Sequence, residues 1–517
     1  MTLFDCNVAL GRSCCGPLGF DTPEVLLREM KRLGIAEALV HHQLAAEADV
    51  HKGNELLSRL LQGIPNLHPC WVMAPRALGD LPDGTAWVRQ AADAGVRAVR
   101  VFPRHSLYTL AEWCTGPLTK ALEDAGLPLF IDYGPHHWSE RVIEWEDLKE
   151  LCDAQSKLEI VVVGATVGET RDIVALLHRL PNLHIEYHAF APSDGLERLA
   201  AEGLAHKVLF GSGMPARAGE CVVMQTLKSG LSAQDQRLVA GDNLRRLLHL
   251  AASAKRAPSG EKPKGVYAGP VVDVHGHIGS WERTVTLLRT PEDIVSSMQR
   301  CGVHQMVASS FSAIHGEMQL GNEETRQAVQ RFPGVLFGYA VMNPHYRNDC
   351  KRELKRRFSR DTGFVGLKLH CGLHGVQLQD SGYAYALGFA NEHGLPVLVH
   401  GGGHDKWTEI AARYPHAAFI MAHACAWNGW DPQGAELYRP VRDTANLYVD
   451  VAGSAAHRGA LRALVDLVGA KKVLHGSDCP MFDLAFELGR IALSDLSSKE
   501  KRTICVRNAL RIFKSLA

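Results

Sequence analysis

VVDVHGHIG, residues 271–279, is a short apolar run that ends in two histidines one residue apart. Side chains on a strand alternate between faces, so His275 and His277 share one face. Four later runs end in a similar way. GFVGLKLH carries Lys368, GLPVLVHGG carries His400, AAFIMAHAC carries His423 and KVLHGSDCP carries Asp478. Short apolar runs preceded by polar or Gly-containing sequence read as buried parallel strands. The pattern predicts strands near 271–275, 304–309, 335–341, 364–369, 396–400, 417–422, 446–451 and 472–476. Eight such strands close a (β/α)8 barrel, and polar residues at their C-terminal ends meet at one mouth.

The first half repeats this framework. Asp5 in LFDCNVALG matches Asp273, an offset of 273 − 5 = 268, and Gly53-Asn54-Glu55 matches Gly321-Asn322-Glu323 at the same offset. Arg100 falls on Lys368 and Asp132 on His400, again at 268. Gly213 falls on Asp478 and Asn243 on Asn508, where 478 − 213 = 508 − 243 = 265. A near-constant offset this long marks duplication of a whole domain. The fold expected is α/β, with two tandem (β/α)8 TIM-type barrels at 1–250 and 271–517. Between them, 251–270 is rich in Ala, Pro, Gly, Ser and Lys without periodicity, and reads as a linker. TPEVLLREMKRLGIAEALV predicts a helix capped by Thr22, with Pro23 in its first turn, followed by a strand. TPEDIVSSMQRCGVHQMVAS predicts the same from Thr290 and Pro291.

Composition excludes several classes. The chain has 517 residues, with 56 basic and 56 acidic side chains. Neutral balance offers no electrostatic footprint for nucleic acid or an anionic membrane. No apolar stretch approaches the roughly 20 residues that span a bilayer, and the N-terminus lacks the basic and apolar regions of a secretory signal. Thirteen scattered cysteines in no zinc-finger spacing are expected to be reduced thiols of a cytoplasmic protein.

Two imidazoles on one strand face can chelate zinc or a similar divalent ion. An HxH pair alone is often just polar residues near a strand end. His400, His423 and Asp478 at the ends of other strands change the reading. Buried ionisable groups need partners, and five of them at one mouth satisfy each other best around a cation.

These motifs (DVHGH, GLKLH, the histidines of VLVHGG and MAHA, and HGSDCP followed by Asn508) resemble the amidohydrolase superfamily, in its amidohydrolase-2 branch. The resemblance covers about half the chain, and the first half looks like a degenerate copy. It implies that His275, His277 and His400 bind a divalent metal, most simply Zn, and that Asp478 is both ligand and general base. A bound cation lowers the pKa of water to about 7, and a carboxylate beside it can take the proton and pass it on. If Lys368 is carbamylated, it bridges two ions and His423 binds the second. If not, one ion is present and His423 polarises the substrate or donates a proton. One ion is the favoured reading. His370 shares a strand face with Lys368 and is expected to line the pocket. His374, His404 and His457 are expected to be surface histidines of loops.

At the matching places the first half has Asn7, Ala9, Arg100, Asp132, Gly164 and Gly213. Arginine has no lone pair to give, and Ala and Gly have no donor atom, so metal catalysis is lost there. Two alternatives remain at this stage. Arg100 and Asp132 plug the old site, or Arg97, Arg100 and Arg104 form an anion site. A metal site from Cys6, Cys14, Cys15, His41 and His42 fits no zinc spacing.

Three functional readings follow. The first is a metal-dependent hydrolase of an amide, lactone or related carboxyl derivative, acting through metal-activated water on a small molecule. The second is a non-oxidative decarboxylase of an unsaturated or aromatic acid. The third is a non-enzymatic scaffold. Trp281, Glu282 and Arg283 stand where a loop would line the mouth, and an arginine there suits a carboxylate. The two barrels are expected to pack as a pseudo-dimer with the inactive one as support, and a homo-oligomer stays open.

Overall fold

The computed structural model describes residues 1–13, 16–133, 143–250, 263–359, 362–401, 406–424, 434, 436–453 and 457–516. The chain forms two compact units, Met1–Ala191 with Gly195–Lys264, and Pro192–Asp194 with Gly265–Ala517. Residues 251–262 of the expected linker, and also Cys14, Cys15 and His404, lie outside the described residues.

The first unit has nine strands: β1 (Leu3–Ser13), β2 (Gly16–Phe20), β3 (Ile35–His42), β4 (Leu67–Val72), β5 (Ala98–Val101), β6 (Leu129–Asp132), β7 (Ile160–Val163), β8 (Leu183–Glu186) and β9 (Val208–Leu209). Eight run parallel in chain order, and β2 folds back antiparallel beside β1. Backbone bonds join the first and last parallel strands: Cys6 N to Phe210 O at 2.9 Å, and Ala9 N to Met214 O at 2.9 Å.

The second unit has eight parallel strands: β10 (Val272–Ile278), β11 (Gln305–Ser310), β12 (Leu336–Val341), β13 (Phe364–His370), β14 (Pro396–His400), β15 (Ala418–Met421), β16 (Leu447–Asp450) and β17 (Val473–Leu474). Each falls within a few residues of its expected place. Val274 N to His475 O at 3.0 Å and Asp478 N to His275 O at 2.7 Å close the ring. Both units are therefore eight-stranded parallel barrels. Helices return the chain between strands, as βα repetition requires.

The duplicated residues outside the mouth are structural clamps. Asn322 holds β12 by both main-chain groups: its Nδ2 donates to Val341 O at 3.2 Å, and its Oδ1 accepts from Val341 N at 2.9 Å. Asn54 does the same to Val72 at 2.8 and 2.9 Å. The glycine before each lets its helix touch the preceding one. A Cβ at Gly53 would lie 2.3 Å from Ala45 N, and at Gly321 2.2 Å from Ala313 N. Asn243 and Asn508 donate to the carbonyls of Val208 and Val473, tying the closing helices to β9 and β17. Asp5 and Asp273 accept from the backbone of Ser212 and Ser477, across the seam of each barrel.

Below the second mouth, Val274, Val307, Leu398 and Ile420 pack against Ile512 and Phe513 of the C-terminal helix. This apolar plug is what a packed barrel interior requires. The helix starts show one difference. Thr290 closes a capping box with Asp293, whereas Thr22 stands in the cap position without a side-chain cap bond. Val25 occupies the place of Asp293, so the reciprocal acid is missing. The ten described cysteines are free thiols. Among the described residues, no helix is long and apolar enough to cross a membrane.

Candidate metal centre

His275 leaves β10 fully buried, with its ring fixed from behind. Its Nδ1 lies 2.9 Å from Asp450 Oδ2, at the end of β16. A carboxylate accepts and does not donate, so Nδ1 carries the proton and Nε2 carries a lone pair. That lone pair meets the Lys368 ammonium at 2.8 Å. His423 is set the same way. Its Nδ1 donates to the Ala452 carbonyl at 2.8 Å, which leaves Nε2 as the donor atom. Asp478 Oδ1 lies 2.9 Å from His277 Nε2 and 3.5 Å from His275 Nε2. One ligand atom each from His275, His423 and Asp478 falls within 4.8 Å of the others, a spacing that suits one cation. The donor chemistry fits a divalent ion: two imidazole lone pairs and a carboxylate, with both imidazoles oriented from behind.

Lys368 supplies the positive charge in this arrangement. It is fully buried. Burial pushes its pKa down to about 8, against the opposing pull of Asp478 and Asp450. Burial likewise takes His275 down to about 4. Burial would raise the Asp478 carboxyl, but His275, His277 and His423 hold it well below the usual range. The same contest holds Asp450 at about 2, burial being outweighed chiefly by His275.

His277 completes the floor, its Nδ1 facing Ser309 O at 3.3 Å. His400 turns its Nδ1 to His423 Nε2 at 3.0 Å and stacks on His370 at 4.0 Å. All six expected residues thus gather at one mouth. His275, His423 and Asp478 form the tightest ligand triangle, and His400 adjoins it through His423. His370 lines the mouth as expected.

Three sequence expectations change. His374, expected at the surface, is buried, because its Nδ1 meets Tyr383 Oη at 2.8 Å and its Nε2 faces Ile314 O at 3.2 Å. Glu282 and Arg283 are exposed, and Glu282 pairs with Arg289 rather than facing the mouth. Their neighbour Trp281 does turn inward. Arg97 is exposed just before β5, at the opposite end of that strand from Arg100, so it joins no anion cluster at the mouth.

Sequence reading found Trp281 but missed Asp450 and the other members of the aromatic wall, Phe311 and His315. Phe311 stacks on His277 at 4.6 Å, and Trp281 lies 6.2 Å from Phe311 and 5.0 Å from His315. The signal for Asp450 was a lone acid ending the apolar run LYVD. Its role gives a prediction. Asp450 Oδ1 accepts from the backbone of His423 and Ala452, both at 3.0 Å, while Oδ2 takes His275. Asp450→Asn must turn an NH2 group against one of these donors. Chelator competition should then show roughly 10–100-fold weaker metal binding, the usual loss when the group behind a ligand histidine is removed. Unchanged affinity would remove Asp450 from this role.

In the first unit the matching positions are Asn7 within β1, Arg100 within β5 and Asp132 at the end of β6, with Gly164 and Gly213 beyond β7 and β9. The backbone has kept its shape there. His423 and Asp478 adopt left-handed φ of 65° and 62°, and Gly164 and Gly213 adopt 83° and 68°. Holding a side chain in that region costs about 1 kcal/mol or more. Gly164 and Gly213, which carry no side-chain donor, adopt that conformation without this cost. Among the described residues, no metal-ligating group of three forms in the first unit. His41 and His42 are buried, and His42 Nδ1 instead accepts from Leu44 N at 3.1 Å.

A parallel barrel that gathers imidazoles, a lysine and a carboxylate at its mouth is the architecture of a metal-dependent barrel enzyme. A family description, amidohydrolase, matches residues 69–250 and again 272–514, and the chain belongs to the amidohydrolase family. A comparison with curated proteins gives no match. Among solved structures, the chain is similar to 5-carboxyvanillate decarboxylase LigW from Sphingomonas paucimobilis, at 14% identity and TM-score 0.38, over 47% of this chain and 99% of that one. It is similar to 4-oxalomesaconate hydratase LigJ from Rhodopseudomonas palustris at 18% identity and TM-score 0.37, over 48% and 96%. The 2,6-dihydroxybenzoate decarboxylase from Rhizobium gives 15% identity and TM-score 0.39, over 48% and 99%.

Proposed function

We propose that the second barrel is a metal-dependent, non-oxidative decarboxylase of a small planar acid, aromatic or unsaturated, and that the first barrel is not catalytic. The supporting observation is the aromatic wall beside the donors, with Phe311 flat on His277 and Trp281 behind it. A flat wall orients a flat substrate by stacking. A divalent ion on His275, His423 and Asp478, with His277 and His400 adjoining, would polarise the substrate's oxygens as a Lewis acid. Zn2+ suits this nitrogen and oxygen set.

The chain's own residues do the rest. Phe311 and Trp281 fix the plane of the substrate. Lys368 offers a buried cation to its carboxylate. Asp450 and the Ala452 carbonyl hold two imidazoles in the tautomer that points Nε2 inward. The bond from the carboxyl group to its carbon breaks, carbon dioxide leaves, and that carbon takes one proton through the Asp478 cluster. No water and no oxidant is consumed.

A second reading, hydrolysis of an amide or lactone, is favoured by one observation. Asp478 is held as a carboxylate, the state that takes a proton from water. A substrate panel separates the two. With metal-loaded protein, planar acids are expected to release one carbon dioxide per product and to take solvent deuterium at the vacated carbon. Incorporation of labelled oxygen from water, without carbon dioxide release, would establish hydrolysis instead.

A further inference from the structure

The mouth of the first barrel has lost its metal donors and filled with guanidinium groups. Arg100, at the end of β5, donates to Asp132 and, at 2.7 Å, to Asn7 Oδ1. Arg104 reaches the same place from the following loop, where Nη1 donates to the Tyr133 carbonyl at 3.0 Å. Arg217 comes from the loop after β9. Its Cγ lies 2.9 Å from where a Cβ on Gly213 would be, and its charge acts on Asp132. Arg100 and Arg104 thus meet at the end of β6, and Arg217 lies within electrostatic reach of Asp132 there.

Asp132 and Glu186 are carboxylates of this mouth, and Glu169 and Glu144 act together with Arg104 on Tyr133 beside it. Glu186 already serves His188, through the ring Nδ1 and the backbone N, both at 2.6 Å, and Asn7 Nδ2 at 3.3 Å. His41 is buried near Arg100 and Asp132; burial, then Arg100, hold its pKa well below the usual value, so it is neutral. An Arg100–Asp132 plug explains those two residues. It leaves the arrival of Arg104 at the same place unexplained.

Two orphaned groups point to a ligand. The Nε–H groups of Arg100 and Arg104 are shut off from bulk water and have no hydrogen-bond partner among the described residues. Buried donors of this kind are nearly always satisfied. The acceptor that a guanidinium cluster matches is an oxyanion, taken in bidentate fashion. Arg104 and Arg217 are half-buried, while Arg100 and Asp132 are buried.

We propose that the mouth of the first barrel binds the carboxylate or phosphate group of a small anion, with Arg100 in the floor and Arg104 and Arg217 as the clamp. The anion site weighed from sequence at Arg97, Arg100 and Arg104 keeps two members and exchanges Arg97 for Arg217.

The test is calorimetric titration of the full chain at low salt, with sodium benzoate and, separately, with inorganic phosphate. A His275→Ala/His277→Ala/Lys368→Met background removes both the metal ligands and the cation of the second barrel's mouth. At least one anion is expected to saturate; benzoate alone identifies a carboxylate site, and phosphate alone a phosphate site. Arg104→Gln/Arg217→Gln should weaken that binding at least about ten-fold, the scale of one lost charge-assisted hydrogen bond. Saturation by neither anion, or equal affinity in the double variant, overturns the proposal. Should the double variant misfold, phenylglyoxal labelling of the unsubstituted arginines keeps the test decisive. The bound anion is expected to slow modification of Arg104 and Arg217, and unchanged labelling overturns the site.

Discussion

Replacing His275 and His277 together by alanine is expected to strip the divalent ion and abolish turnover in one step. The two rings do different work, and both are needed. His275 presents Nε2 as a lone pair because Asp450 holds its other nitrogen at 2.9 Å. His277 meets Asp478 Oδ1 at 2.9 Å and so fixes the carboxylate. Without both rings, His423 and Asp478 alone remain of the triangle, and two ligands do not hold zinc against water. The barrel should survive. Both rings face inward at the mouth, and the apolar plug under them is built from other residues. Metal analysis of the purified variant checks the first half of the expectation, and turnover on the panel checks the second. Full metal content in the double variant would sink the assignment of these residues.

The same comparison explains what could be read from the sequence. The duplication was legible because two kinds of residue recur at one offset for two different reasons. Asn54 and Asn322 both satisfy a buried strand end, and Asp5 and Asp273 both bridge a barrel seam. Losing one such clamp leaves buried backbone groups unpaired at about 1–3 kcal/mol each, so these positions are tied to the fold and not to chemistry. The mouth residues carry no such debt. His423 and Asp478 even strain the backbone, and glycine replaces both in the first barrel. A matched framework with unmatched strand ends therefore reads as two copies of one fold, of which, among the described residues, only the second gathers a metal-ligating group of three.

The parts that were not legible depend on directions a linear sequence does not encode. Asp450 looks like an ordinary acid at a strand end until its two oxygens are seen to divide between a ring nitrogen and two backbone N–H groups. Arg97 and Arg100 look like neighbours, yet Arg97 stands exposed just before the strand Ala98–Val101 while Arg100 lies buried within it, so only Arg100 reaches the mouth. Arg217 lies far from Asp132 in the chain and comes within electrostatic reach of it only because the barrel closes. His374 looked like a loop residue because its two partners, Tyr383 and Ile314, come from separate elements.

Asp478→Asn should leave the fold intact and lower turnover by several orders of magnitude. Asparagine has the same shape and tolerates left-handed backbone better than most residues, so the φ of 62° at this position is no obstacle. The backbone bond from Asp478 N to His275 O at 2.7 Å, which helps close the barrel, is untouched. What disappears is the charge. The carboxylate is fully ionised here despite burial, because three imidazoles surround it. An amide can neither take up a proton nor balance a divalent ion. Acid–base groups alone contribute about 10²–10⁴-fold, and the lost ligand charge adds to that. Melting temperature and metal content, measured beside turnover, separate the two losses. Turnover should stay low even when excess metal restores occupancy. Near-normal turnover in a metal-loaded Asp478→Asn protein would move proton transfer to another group at the mouth. His423, whose Nε2 already points inward, is the residue next placed to carry it.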